Sequence, residues 1–357
     1  GDGTARDSFG ISLSGPPDDD RTALGYDRTD PEIDRNRGID PEGRGAAAIE
    51  RRLGDASGEG RAGRRPRTSA PDDGRFDRAF SFWTAGALTI GDVAGRRGAT
   101  GNAFSTSGVT AGVDHRFDRR LTVGVGIGYG RIATDIGNDG SNTVGDQYAA
   151  AIYASFRPTP TLFVDGVAGV GRFDFTSARA LDGHAAMATG RRGGREFFGS
   201  LTAGQEYRGI LDGHPWLVSP YARLDVIGGR LDGFAETSPV AGTALRYGAQ
   251  SFGDVSVDLG LRAKIDVRTD FGSIAPFVRA EFQHDLQTSP TAIVSWADLI
   301  GGATYTVPVT GLDQNRLMVG AGLDLDWYGY LIGFQYQTTF GASSETQTMG
   351  LKVRKRF

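Results

Sequence analysis

The chain has 357 residues, 55 of them Gly and none Cys, with 39% hydrophobic residues and a formal net charge of -4. Thiolate chemistry, disulfide scaffolds and Cys-rich metal sites are thereby excluded, and the near-neutral balance offers no basic footprint for nucleic acid. No apolar run reaches 18 residues, so no transmembrane helix is available, whereas a barrel strand needs only every second residue to be apolar.

Residues 1–75 are rich in Asp, Arg, Gly and Pro, as in Pro16-Pro17-Asp18-Asp19-Asp20 and Arg64-Arg65-Pro66-Arg67. Such a segment buries too little apolar surface to fold alone and is expected to be largely disordered. Its one ordered candidate is a short helix over 45–54, where Ala46 to Leu53 favours helix and Gly54 ends it. Asp30, Asp34, Asn36 and Asp40 place oxygen ligands at alternate positions, yet they lack the full calcium-loop pattern and read as a solvated linker.

The character changes near residue 76, and the remainder to 357 reads as one all-β domain. Twelve strands are expected, at roughly 80–93, 105–117, 121–135, 146–156, 161–177, 196–209, 216–234, 249–268, 273–288, 313–327, 330–341 and 346–357. The third alternates Leu121, Val123, Val125, Ile127 and Tyr129 with small residues. Its Gly124-Val-Gly126-Ile-Gly128 string has dinucleotide-like spacing, but no helix follows, and small lumen-facing residues explain it. The eighth alternates without exception from Val255 to Val267, and the same rule recurs in the tenth, where Leu317, Val319, Ala321, Leu323, Leu325 and Trp327 are set against Met318, Gly320, Gly322, Asp324 and Asp326. Registers of the first, fifth and sixth strands stay ambiguous.

Tight links at 118–120, 157–160, 210–215, 269–272 and 328–329 alternate with looser ones at 94–104, 136–145, 178–195, 235–248 and 289–312, the last loop, Ala342 to Glu345, being a short exception. Short periplasmic turns alternating with long external loops are the pattern of a bacterial outer-membrane barrel. Within 289–312, Trp296 and Ala303 to Pro308 are expected to add an external hairpin. Phe117, Phe156, Trp216, Trp327, Tyr328 and Tyr330 sit at strand ends, where barrels place interfacial aromatic girdles.

Residues from about 80 to 357 resemble the autotransporter β-domain family. The resemblance rests on Trp216-Leu-Val-Ser-Pro-Tyr-Ala-Arg-Leu-Asp225, then Leu231-Asp-Gly-Phe-Ala-Glu236, then Pro276-Phe-Val-Arg-Ala-Glu-Phe-Gln-His-Asp285, and a last strand ending in Phe. It implies a twelve-stranded antiparallel transmembrane barrel of the outer membrane that exports and anchors an N-terminal passenger, with the preceding segment threaded through the lumen. The 45–54 helix is then the candidate plug, and residues 1–75 the passenger end. The chain's own polar parity agrees, placing Asp258, Arg262, Lys264, Asp266, Arg279, Glu281, Asp324, Asp326, Arg354 and Arg356 toward a hydrated lumen.

The end of the chain, from Met349 to Phe357, is similar to the signal read by the barrel assembly machinery, with Gly350, Leu351, Val353 and Phe357 in the signal. Leu351, Val353 and Phe357 have lipid-facing parity. Lys355 departs from the pattern, which expects an aromatic or apolar residue there, and is expected to snorkel to the interface. Some relatives cut their passenger at an Asn pair near the plug; no Asn-Asn occurs here, so the passenger is expected to stay attached. The implied partners are outer-membrane lipid, the assembly machinery and the chain's own passenger, around a monomeric barrel without cofactors.

Catalysis finds little support. Barrel phospholipases and proteases need a His beside Ser or Asp, and none of His115, His184, His214 and His284 lies in a nucleophile motif. The competing reading is a free-standing porin or adhesin barrel with a periplasmic N-terminal tail; a soluble lectin-like β-domain is a more distant rival.

Overall fold

The computed structural model describes residues 80–95, 100–270, 272–286, 291–298, 303–308, 312–328 and 330–356. The expected helix at 45–54, terminal Phe357 and the side chain of Arg356 lie outside them. The strands are β1 (Phe80–Val93), β2 (Asn102–Arg116), β3 (Leu121–Ile136), β4 (Ser141–Phe156), β5 (Leu162–Ala180), β6 (Met187–Gln205), β7 (Tyr207–Leu211), β8 (His214–Leu231) and β9 (Phe234–Ala235). They continue as β10 (Leu245–Tyr247), β11 (Gln250–Ile265), β12 (Val267–Thr269), β13 (Gly272–Asp285), β14 (Thr291–Trp296), β15 (Thr304–Pro308), β16 (Asn315–Trp327), β17 (Tyr330–Phe340) and β18 (Ser344–Arg356).

Neighbouring strands pair antiparallel throughout, and the sheet closes because β18 pairs β1 and β11 pairs β8. β6 and β7 form a single stave, interrupted at Glu206, next to the Gln205 position that faces Pro220, which has no N–H to donate. β11 and β12 form another, so the barrel has twelve staves. Closure removes every edge from the main sheet, as a lipid-immersed backbone requires.

Both ends of the barrel chain, at Phe80 and Arg356, lie with the short turns; Ser81 pairs Arg356 there. The turn between β7 and β8 is the two-residue Asp212-Gly213, with φ of 49° and 80°. Positive φ at both positions makes it a type I′ hairpin, which Asp-Gly favours, so the expected tight link at 210–215 is a two-residue turn between strand ends. Two of the expected loops are also mostly strand. β3 and β4 meet at residues 137–140 and β5 and β6 at 181–186, because their staves rise well past the membrane. At a rise of about 3.3 Å per residue and a tilt of roughly 40°, a 19-residue stave spans about 50 Å along the axis, against an apolar band of about 25 Å.

Above the band the pattern of faces reverses. Along β5 the outward residues run Val170, then Arg172, Asp174 and Thr176, while Phe173 and Phe175 point inward and are buried. Water replaces lipid outside, so the apolar set moves inside. Ile132, Phe173, Phe175, Leu231 and Phe252 accordingly form one buried apolar cluster in the outer lumen. Beyond the rim, β14 and β15 pair as the expected external hairpin, and β10 and β9 extend it to a four-stranded sheet.

Candidate functional site: the barrel interior

Alternation sorts each stave into a lipid face and a lumen face. Leu259 and Leu261 of β11 are 59% and 50% exposed, whereas Asp258, Arg262 and Lys264 on either side of them are buried. An exposed apolar ring of this kind, continued by Ile127, Ile152, Val170, Val278, Leu323 and Leu351, far exceeds what a water-soluble surface carries.

The lumen face holds a charge network on β8, β11 and β13. Arg223 donates to Asp258 at 2.6 Å, to Glu281 at 2.6 Å and to Asp225 at 2.8 Å. Tyr221 donates to Glu281 at 2.6 Å, and Gln283 does so at 2.9 Å. Asp258 faces Arg223 on one side and Gln283 on the other in strict register, so period-two strands place these groups together without loops. Arg279 donates to Gln337 at 2.8 Å. Arg316 holds Asp285 through two nitrogens, at 2.9 and 3.0 Å.

Toward the turn end, Lys264 pairs with Asp324 at 2.9 Å and Arg354 with Asp114 at 2.7 Å. The Arg262 guanidinium lies 4.7 Å from the Phe277 ring centre. Asp266 is half-buried and takes a backbone bond to Pro215, and Asp326 is exposed at the barrel rim. Tyr153 donates to Asp114 and accepts from the Trp83 indole. These two aromatics explain two of the glycines of β3. A Cβ at Gly124 would lie 2.2 Å from the Tyr153 ring, and one at Gly126 3.3 Å from Trp83. Gly124 and Gly126 therefore seat rings from other staves rather than leave open space. Gly260 seats Tyr221 in the same way, at 2.2 Å.

On the outside, Phe117, Phe156, Trp327, Tyr328 and Tyr330 are exposed and Trp216 half-buried, all at the turn end. In β18, Leu351 faces outward at 53% exposure, Val353 shares its face, and Gly350 lies on the lumen face. The Lys355 amine rests 4.7 Å from the Tyr330 ring centre and donates to its hydroxyl at 2.9 Å. That contact lets a cation occupy an aromatic's place.

Sequence reasoning passed over Arg223, Asp225, Tyr221, Asp114, Tyr153 and Trp83. Tyr221, Arg223 and Asp225 had a signal: they share one parity inside the 216–225 segment. That segment and the 276–285 segment flank β11, and Arg223 ties all three together. The spacing between the two segments thus has a physical cause.

The autotransporter beta-domain family matches residues 82–337. Among solved structures, the translocator domain of the autotransporter NalP from Neisseria meningitidis is similar at 18% identity and a TM-score of 0.60, over 87% of this chain and 96% of that one. The β domain of the Bordetella autotransporter BrkA aligns at 18% identity and a TM-score of 0.57, over 78% of this chain and 100% of its own. The transport unit of AIDA-I from Escherichia coli aligns at 13% identity and a TM-score of 0.57, over 80% of this chain and 93% of its own. No curated protein matches the chain in sequence. The chain belongs to the autotransporter β-domain family, as an outer-membrane translocator barrel that anchors an N-terminal passenger and exports it to the cell surface.

Proposed function

We propose that the passenger passes through the lumen along the charged faces of β8, β11 and β13, and that residues 1–75 are its barrel-proximal end, with 76–357 as the barrel. The observation that carries this reading is the position of Phe80 at the turn end, paired with His115. A segment preceding Phe80 joins the barrel on the periplasmic side, so reaching the surface takes it along the lumen axis. Asp258, Arg262, Lys264, Asp266, Arg279, Glu281, Asp324, Asp326, Arg354 and Arg356 are the lumen-side groups of that path. Charges already paired within the wall, such as Arg223 with Glu281, hold an extended polar chain weakly, which favours passage over capture.

β18 is the strand that the assembly machinery engages, through Gly350, Leu351, Val353 and Phe357. It forms the seam with β1, so it is an edge until closure. The apolar ring takes outer-membrane lipid, and Phe117, Phe156, Trp216, Trp327, Tyr328 and Tyr330 mark the periplasmic interface. The barrel acts as a monomer and performs no catalytic step. His115 is wedged between Phe80 and Phe117, with ring centres 4.5 and 4.6 Å away, and His284 bonds Asn315 at 2.7 Å.

The test is crosslinking. A Cys replacing Ser256, on the lumen face, should crosslink to a Cys placed within residues 60–75 in the assembled barrel. A Cys replacing outward Val257 should not. Crosslinking from Val257 alone, or from neither position, would reject the lumenal path.

A further inference from the structure

The outward face near the loop end carries a basic row. Arg172 of β5 stands in register beside Arg195 of β6, and Arg195 beside Arg230 of β8. The same row continues through Tyr148 of β4 to Tyr129 of β3, whose rings lie 5.3 Å apart. One outward position closer to the membrane, β5 and β6 present Val170 and Phe197, 61% and 55% exposed. The guanidinium groups therefore sit on the rim of the apolar ring, at the depth where interfacial tyrosines gather.

Like charges directly opposite on adjacent strands, about 4.8 Å apart, destabilise a sheet unless something neutralises them. The protein supplies little. Asp174 reaches Arg172 at 3.4 Å with both side chains more than half exposed, and Asp232 lies over Gly193 one row further out. Among the described residues, no carboxylate within ion-pair distance holds Arg195 or Arg230. The row is also one-sided: at the same end of the barrel, β1 and β18 set Asp92 against Glu345. The outward faces of the outer halves of β2, β16 and β17 carry no Arg or Lys.

We propose that Arg172, Arg195 and Arg230 form a binding site for the phosphate groups of outer-leaflet lipid head groups. Three adjacent guanidinium forks offer the planar, bidentate donors that phosphate oxygens accept. The apolar surface below takes the acyl chains of the same molecule, which a free anion lacks. The site rests on the outer-membrane placement of the barrel and is independent of the path the passenger takes.

The experiment uses the whole chain in phosphatidylcholine nanodiscs doped with bis-phosphorylated lipid A or with its dephosphorylated counterpart. Lipid retained on the protein is counted by native mass spectrometry. The parent should retain the phosphorylated lipid roughly tenfold more tightly than an R172Q/R195Q/R230Q variant, and R268Q on the opposite rim should match the parent. The dephosphorylated lipid should distinguish none of them. Equal retention by parent and triple variant overturns the site. Displacement of the lipid by inorganic phosphate overturns the lipid assignment in favour of a free-anion site. If the triple variant loses its heat-modifiable migration, R195Q alone carries the comparison. Surface exposure of the passenger, scored on Gram-negative cells expressing the same variants, reports separately on translocation.

Discussion

Replacing Arg223 by Gln should be the most damaging single change in the lumen wall. Its guanidinium is the shared partner of Asp258 and Glu281, whose side chains are 2% and 0% exposed, and of Asp225. Removing one partner of a buried ion pair costs about 3–5 kcal/mol, because the charge left behind has neither water nor a counter-ion. Two such carboxylates remain here, so the upper half of that range applies. With a urea slope of about 2 kcal/mol per M, the unfolding midpoint in lipid vesicles should fall by roughly 2 M. Tryptophan fluorescence and heat-modifiable electrophoretic migration follow the transition. Neutralising the stranded acids, as R223Q/D258N/E281Q, should recover more than half of the loss, since the cost lies in uncompensated charge rather than in missing contacts. A midpoint unchanged in R223Q, or a triple variant no better than the single, would refute this reasoning.

Four further outcomes follow from the same geometry. Gly124→Ala puts a Cβ 2.2 Å from the Tyr153 ring, so it should displace that ring and lower the thermal midpoint by an amount equivalent to about 1–3 kcal/mol. Phe173→Ala empties the outer apolar cluster and should cost about 3–5 kcal/mol in urea unfolding, with proteolysis of the loop end accelerated. Leu351→Arg places a charge on the lipid face of the closing strand. It should cost about 2–4 kcal/mol and reduce the yield of folded barrel on gels. Backbone N–H groups of Arg120 and Leu121 donate to the Asp118 carboxylate in the first periplasmic turn and lower its pKa below 3.8. A depressed folded value stabilises the turn above the unfolded pKa and stops doing so as pH falls through the folded one. Amide protection at Arg120 and Leu121 should therefore be intact at pH 6 and fade below about pH 3.8.

The lower barrel was legible because one physical rule governs it: lipid outside, polar groups inside, period two. Residues 255–267 of β11 and β12 state that rule without interruption, and β16 follows it except at the inward Met318. The fifth and sixth staves were ambiguous for a reason visible in β5, where Val170 faces lipid but Phe173 faces the lumen. A stave that leaves the membrane obeys two opposite rules in turn, and no single alternation describes it. The same rise concealed strand in the segments 136–145 and 178–195. In the lumen, carboxylates and cations showed as polar parity, but their partners did not. Arg223 meets Asp258 and Glu281 only through the register of three strands, and Trp83 reaches Tyr153 across 70 positions of chain. Glycines offered the weakest signal, because an absent side chain does not say which ring fills its place.

Protease accessibility on intact Gram-negative cells tests the translocator assignment most directly. An epitope placed ahead of Gly1, behind an export signal, should be removed by added protease while the barrel stays whole, because the passenger stands outside the cell. An epitope that is protected until the outer membrane is permeabilised would contradict the account and leave a barrel with a periplasmic tail.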